Sequence, residues 1–215
     1  MNIVVAGGHG KVSLLLLALL AARGDPARGL IRDPGHAADL EAIGAEPVVC
    51  DLEHESPAPH LLGADAIVFA AGAGPGSGPE RKRTVDFGGA VSLIESAQAL
   101  GIGRYVMVSS IGAGDPAAAP EAMRAYQQAK HDADQALIVS GLAYTVVRPG
   151  ALTDDPGTGR IDAAPTLGRS GSIPRADVAA TLAAVLDTPV TAGLVFEVLA
   201  GDVPVVSAVA GLPAS

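Results

Sequence analysis

The chain begins with the strand-like run Asn2-Ile3-Val4-Val5-Ala6, continues through Gly7-Gly8-His9-Gly10, and enters a leucine- and alanine-rich stretch from Lys11 onward. A short β-branched apolar run with no polar alternation describes a strand buried on both faces, which points to a parallel sheet. Glycines between that strand and a helix allow positive φ and let backbone N–H groups approach a ligand closely. The helix that follows turns its positive end toward whatever occupies the turn. The rival reading is a secretory signal, with Lys11 preceding the apolar segment from Leu14 to Ala22. A signal has no use for the strand and glycines ahead of its lysine, so the strand-turn-helix reading is preferred and the chain is expected in the cytoplasm. No apolar run reaches the ~20 residues of a membrane span.

The same alternation runs along the rest of the chain. Strands are predicted at Ile3 to Ala6, Gly29 to Arg32, Glu46 to Cys50, Ala64 to Ala70, Arg104 to Ser109, Ala143 to Arg148 and Leu194 to Leu199. Helices are predicted at Lys11 to Arg23, His36 to Ile43, Val85 to Leu100, Glu121 to Val139 and Arg175 to Leu186. Repeated βαβ units of this kind imply a Rossmann-type, doubly wound parallel sheet in a three-layer α/β/α arrangement with right-handed crossovers. A length of 215 residues with 49% hydrophobic content suits one domain with one full core. A net charge of −9 with 17% charged residues supplies no basic field for nucleic acid or anionic lipid. The single cysteine and five scattered histidines offer no spacing typical of a metal site, and no metal is expected.

In such sheets ligands bind beyond the carboxyl ends of the strands, so chemistry is sought in the loops there. Gly7 to Ser13 follows a G-x-x-G-x-x-G pattern with serine in the last place, and Gly7, His9, Gly10, Lys11 and Val12 are assigned to a dinucleotide diphosphate. After the second strand, Arg32 favours the 2′-phosphate of NADP, with NAD as the alternative. Asp33 is either a ribose carboxylate or a cap of the next turn. Asp51 and Leu52 after the third strand suit the adenine, although Asp51 equally suits a turn. Ala70, Ala71 and Gly72 after the fourth strand suit the ribose or a simple turn. Ser109 and Ser110 end the fifth strand, and Tyr126 and Lys130 stand four apart on the following helix, so the last two share a face. An ammonium near a phenol favours the phenolate and moves it toward acid-base work.

These residues resemble the short-chain dehydrogenase/reductase superfamily, in particular its compact NAD(P)H-binding branch of biliverdin reductase B, flavin reductase-like and NmrA-like proteins. The likeness covers nearly the whole chain and includes Thr145 to Gly150 and Pro174 to Ala179. It implies Tyr126 as proton donor, Lys130 as holder of the nicotinamide ribose, Ser110 as orienter of a substrate carbonyl, and Pro149 beside the nicotinamide. Departures are Ser13 in place of glycine, Ala70-Ala71-Gly72 in place of Asn-Asn-Ala-Gly, and no identifiable fourth catalytic Asn. The glycine-rich segment 151–173 is expected to form a small substrate or lid region. The resulting expectation is a reductase passing hydride from NADP(H) to a small carbonyl, quinone or flavin-like molecule. A non-catalytic NADP(H) sensor of the NmrA-like type is the alternative. A sugar-nucleotide epimerase or dehydratase is disfavoured by Arg32 and by the lack of a large substrate domain.

Overall fold

The computed structural model describes residues 1–74 and 76–213. Strand β1 (Ile3–Ala6) is buried throughout and lies between β2 (Ala27–Ile31) and β4 (Ala66–Phe69), both parallel to it. Outward from β2 comes β3 (Glu46–Val49). Outward from β4 come β5 (Arg104–Val108), β6 (Ala143–Pro149) and β10 (Leu194–Ala200), all in parallel register. Two antiparallel strands, β8 (Arg160–Ala164) and β11 (Val203–Pro204), finish that edge. The order β11-β8-β10-β6-β5-β4-β1-β2-β3 turns around at β1 and β4, where a doubly wound sheet opens a crevice for ligand.

Helices α1 (Lys11–Ala22) and α6 (Arg175–Leu186) cover one face; α4 (Gly89–Leu100) and α5 (Glu121–Ile138) cover the other. Leu16, Leu17 and Leu20 of α1 are fully buried, each removing roughly 2 kcal/mol worth of apolar surface from water. Leu15 and Leu19 remain over a third exposed, so the leucine run anchors α1 to the sheet by one side. No helix among the described residues is long and apolar enough to cross a membrane. Helix α2 (Ala37–Ala42) packs beside β3, and α7 (Val205–Ala210) closes the carboxyl end against α6.

The structure departs from the sequence expectations in three places. The helix expected from Val85 begins earlier, as a turn of α3 (Pro79–Arg81) followed by a π-helical segment Lys82–Gly88 that runs into α4. Strand β2 starts at Ala27, because its pairing with β1 begins at Ile3, and ends one residue before Arg32. The segment 151–173 contains β7 (Ala151–Thr153), β8 and β9 (Ser172–Pro174), so part of it belongs to the main sheet, which is parallel except at this edge. Buried Asp177 holds its central turn by accepting from the N–H groups of Thr158 (3.0 Å) and Gly159 (2.8 Å).

Candidate functional site

The turn after β1 is wedged between its neighbours. Gly7 has φ +77°, and a Cβ there would stand 2.6 Å from Ala71 Cα; a Cβ on Gly8 would stand 2.8 Å from Gly29 Cα. Both contacts are with backbone, so larger residues cannot be admitted without moving a strand end. Gly10 precedes α1, and no side chain caps the helix start or places a carboxylate in its first turn. Its leading N–H groups are therefore offered to an anion from outside the helix. Ser13 is buried in the third glycine's place with its hydroxyl unpartnered, small enough for α1 to sit down on the sheet.

A cavity of about 660 Å³ runs from this turn across the ends of β1 to β4. Of the residues expected at a cofactor, Gly7, His9, Gly10, Arg32, Asp51, Leu52, Ala70, Ala71 and Gly72 line it. Lys11, Val12, Lys130 and Pro149 stand outside its wall. Lys11 points outward to Asp154 (2.6 Å), which also takes Arg175 (2.6 Å) and is held below the usual carboxylate range, chiefly by the Lys11 hydrogen bond. Val12 is core, and Pro149 is buried opposite Val198 in the β6–β10 register.

Two aspartates make turn contacts. Asp33 accepts from Gly35 N–H at 2.8 Å and caps the turn Pro34–His36. Asp51 accepts from Glu53 N–H (3.0 Å) and lies 3.1 Å from His54 Nδ1. Burial opposes its ionisation, but these bonds prevail and hold it low, while the Asp51 hydrogen bond lifts His54 above the ordinary histidine value. His9 reaches Asp39 at 2.8 Å, and its ring stacks on His36 with centroids 3.6 Å apart.

Two charged cavity residues escaped the sequence reading. Glu53 and Arg81 both line the wall near Arg32, and the Glu53 carboxylate lies 3.6 Å from Arg32 and 3.3 Å from Arg81. Glu53 sits two residues beyond Asp51 and Arg81 ends a glycine-rich loop, so neither carries a local signature. Cys50 also borders the cavity; burial, then the nearby Glu55 and Asp51, push its thiol up to about 11. Cys50, Glu55 and His60 bring one donor atom each within 4.8 Å of one another. A metal there would first have to strip a firmly held proton from the thiol.

Beyond the cavity, the Tyr126 neighbourhood is densely tied. Ser109 donates to buried Asp134 (2.9 Å), which also accepts two bonds from Arg148 (3.0 and 2.9 Å). Burial raises Asp134 despite these partners. Ser110 is the serine left facing outward, accepting from Gln127 Nε2 at 3.2 Å. Tyr126 is half-buried, with the Lys82 and Lys130 ammonium groups 5.3 and 6.0 Å from its ring centre. Lys130 itself is buried. Its Nζ reaches Ala71 O (3.3 Å), Val108 O (3.2 Å) and Asp86 Oδ1 (3.3 Å). An ammonium has three donors; the two carbonyls take two of them and Asp86 Oδ1 is an ion-pair neighbour without a hydrogen bond, so one donor is left for a ribose hydroxyl. Asp86, buried in the π-helical segment, also accepts from Ala73 N–H at 3.1 Å.

The glycine turn, the uncapped helix and the cavity crossing the sheet fit a dinucleotide, and comparison with known proteins agrees. Residues 7–189 match the family model described as NAD(P)H-binding. The chain belongs to that NAD(P)H-binding family. A Bacillus subtilis protein named an uncharacterized sugar epimerase, YhfK, is 40% identical over 97% of this chain and 98% of its own. A solved Bacillus halodurans structure, provisionally named an NAD-dependent epimerase/dehydratase, is 39% identical with a TM-score of 0.94, covering 97% of this chain and 98% of the other. The anaerobillin reductase ChuY of Escherichia coli O157:H7 is 26% identical with a TM-score of 0.77, covering 94% and 98%. The fold is therefore Rossmann-like and the ligand class a nicotinamide dinucleotide, in agreement with the resemblance to compact short-chain dehydrogenase/reductases.

Proposed function

We propose that the protein is an NADP(H)-dependent reductase acting on a small carbonyl, quinone or flavin-like molecule. The observation that carries the reading is the cavity that joins the uncapped start of α1 to Arg32 and Arg81. The N–H groups around Gly10 suit a diphosphate, and two guanidiniums at the far end suit the extra phosphate that separates NADP from NAD. When bound, the nicotinamide supplies a hydride. The chain's own contribution lies beside the cavity: Tyr126 donates a proton to the acceptor oxygen and Ser110 orients that oxygen. Lys130, one turn from Tyr126 on α5, ties that helix to the ends of β4 and β5 through Ala71 O and Val108 O, next to Ser110, and Asp86 holds Ala73 beside it.

The test is NADPH oxidation followed at 340 nm with a panel of quinones, flavins and small carbonyls. The proposal expects turnover with at least one acceptor, reduced about 100-fold or more in Tyr126→Phe, the scale of a lost general acid. Tight NADPH binding with no turnover across the panel would transfer the fold to a sensing role.

A further inference from the structure

Glu53 lies between the two cationic side chains of the cofactor cavity. Its side chain is 16% exposed, against 56% for Arg32 and 44% for Arg81. One carboxylate oxygen, Oε2, faces both guanidiniums. The other, Oε1, accepts from Thr84 Oγ1 at 2.6 Å. Thr84 belongs to the π-helical segment and Arg81 to the turn before it, so a single carboxylate ties the loop after β3 to both. The two arginines come from different elements: Arg32 follows β2, and Arg81 ends α3.

We propose that Glu53 is a built-in stand-in for the 2′-phosphate of the cofactor. It holds Arg32 and Arg81 poised when the site is empty and sets the discrimination between NADP(H) and NAD(H). This inference rests on the reading of the site as NADP(H)-specific. A monoanionic carboxylate shared by two guanidiniums offers each of them less negative charge than a phosphate monoester does. A phosphate monoester brings close to two negative charges and three acceptor oxygens, so it outcompetes Glu53 for both partners. The exposed arginines are free to swing to it, while Thr84 keeps Glu53 in place. A ribose 2′-hydroxyl lacks the charge to displace the carboxylate, so NAD(H) meets arginines that are already engaged. Arg81 is thereby assigned as a second specificity residue alongside Arg32.

The test measures dissociation constants for NADPH and NADH by nicotinamide fluorescence on wild type, Glu53→Gln and Arg81→Gln. Adenosine 2′,5′-bisphosphate and 5′-AMP serve as competitors, and thermal midpoints confirm folding. Glu53→Gln should tighten NADPH and the bisphosphate by about tenfold and leave NADH and 5′-AMP within about twofold; Arg81→Gln should weaken the first pair by about tenfold and spare the second. Equal shifts for both cofactors, or none, would overturn the role given to Glu53 and Arg81. Wild type preferring NADH, with Glu53→Gln weakening NADH, would mean that Glu53 accepts from a ribose hydroxyl. That outcome would remove the NADP reading as well. Wild type preferring NADPH with unmoved variants would leave that reading standing and sink this inference alone.

Discussion

The two halves of the site are built from different material. The half under the glycine turn is built on backbone: strand ends, uncapped N–H groups and small residues around an open cavity, with the paired side chains, Glu53 and its arginines, Asp51 with His54, and His9 with Asp39, at its rim. The half around Tyr126 is side chains already engaged with one another, Lys130 with Asp86 and two carbonyls, Ser109 with Asp134, and Ser110 with Gln127, each carboxylate or amide keeping one oxygen without a hydrogen bond. A backbone cradle can wait for a ligand at little cost, whereas buried polar groups must be paired in its absence. Binding and chemistry are thus carried by parts of the molecule that fail in different ways.

The sharpest break of this contrast is at Gly7. Gly7→Val demands a strained φ and drives a side chain into Ala71 backbone, so NADPH affinity should fall by about 100-fold or more in a fluorescence titration. Tyr126→Phe, which removes only a hydroxyl from the other half, should leave that affinity within about twofold.

Next in size is Arg148→Met, which strips buried Asp134 of its cation. Urea unfolding at neutral pH should show a loss of about 3 kcal/mol, with NADPH affinity little changed in the fraction that stays folded. Burial raises Asp134 above its unfolded value, so the folded state binds that proton more tightly. The folding penalty is therefore absent below the ordinary aspartate range and grows as pH rises through the raised value. The deficit of the variant should shrink on acidification; a deficit independent of pH would contradict the pairing.

The smallest effect concerns Cys50 at the cavity wall. With its thiol pushed up to about 11, alkylation by iodoacetamide should be slow near neutrality and accelerate as pH climbs toward that value. Saturating NADPH should slow it further, because Cys50 lines the pocket; no protection would place the nucleotide elsewhere.

The same contrast explains what could be read from sequence. The glycine turn, the strand ends and Arg32 follow from local pattern, since a β-branched run, a glycine and a helix start each leave a mark within a few residues. Lys130 was legible by its spacing from Tyr126, but its partner Asp86 stands 44 residues earlier in a π-helical segment that no periodicity announces. Glu53 and Arg81 meet across 28 residues, and Asp134 and Arg148 across 14, through pairings that exist only once the sheet is assembled. The antiparallel edge of β8 and β11 was missed for a similar reason: a five-residue strand in a glycine-rich stretch and a two-residue strand ending in proline look like loop until neighbouring strands offer them a ladder.

A structure of the protein with NADPH tests the central claim most directly. The account predicts the diphosphate on the N–H groups at the start of α1, the adenosine phosphate between Arg32 and Arg81, and the nicotinamide toward Tyr126. A nucleotide bound elsewhere, with the glycine turn left to solvent, would contradict it.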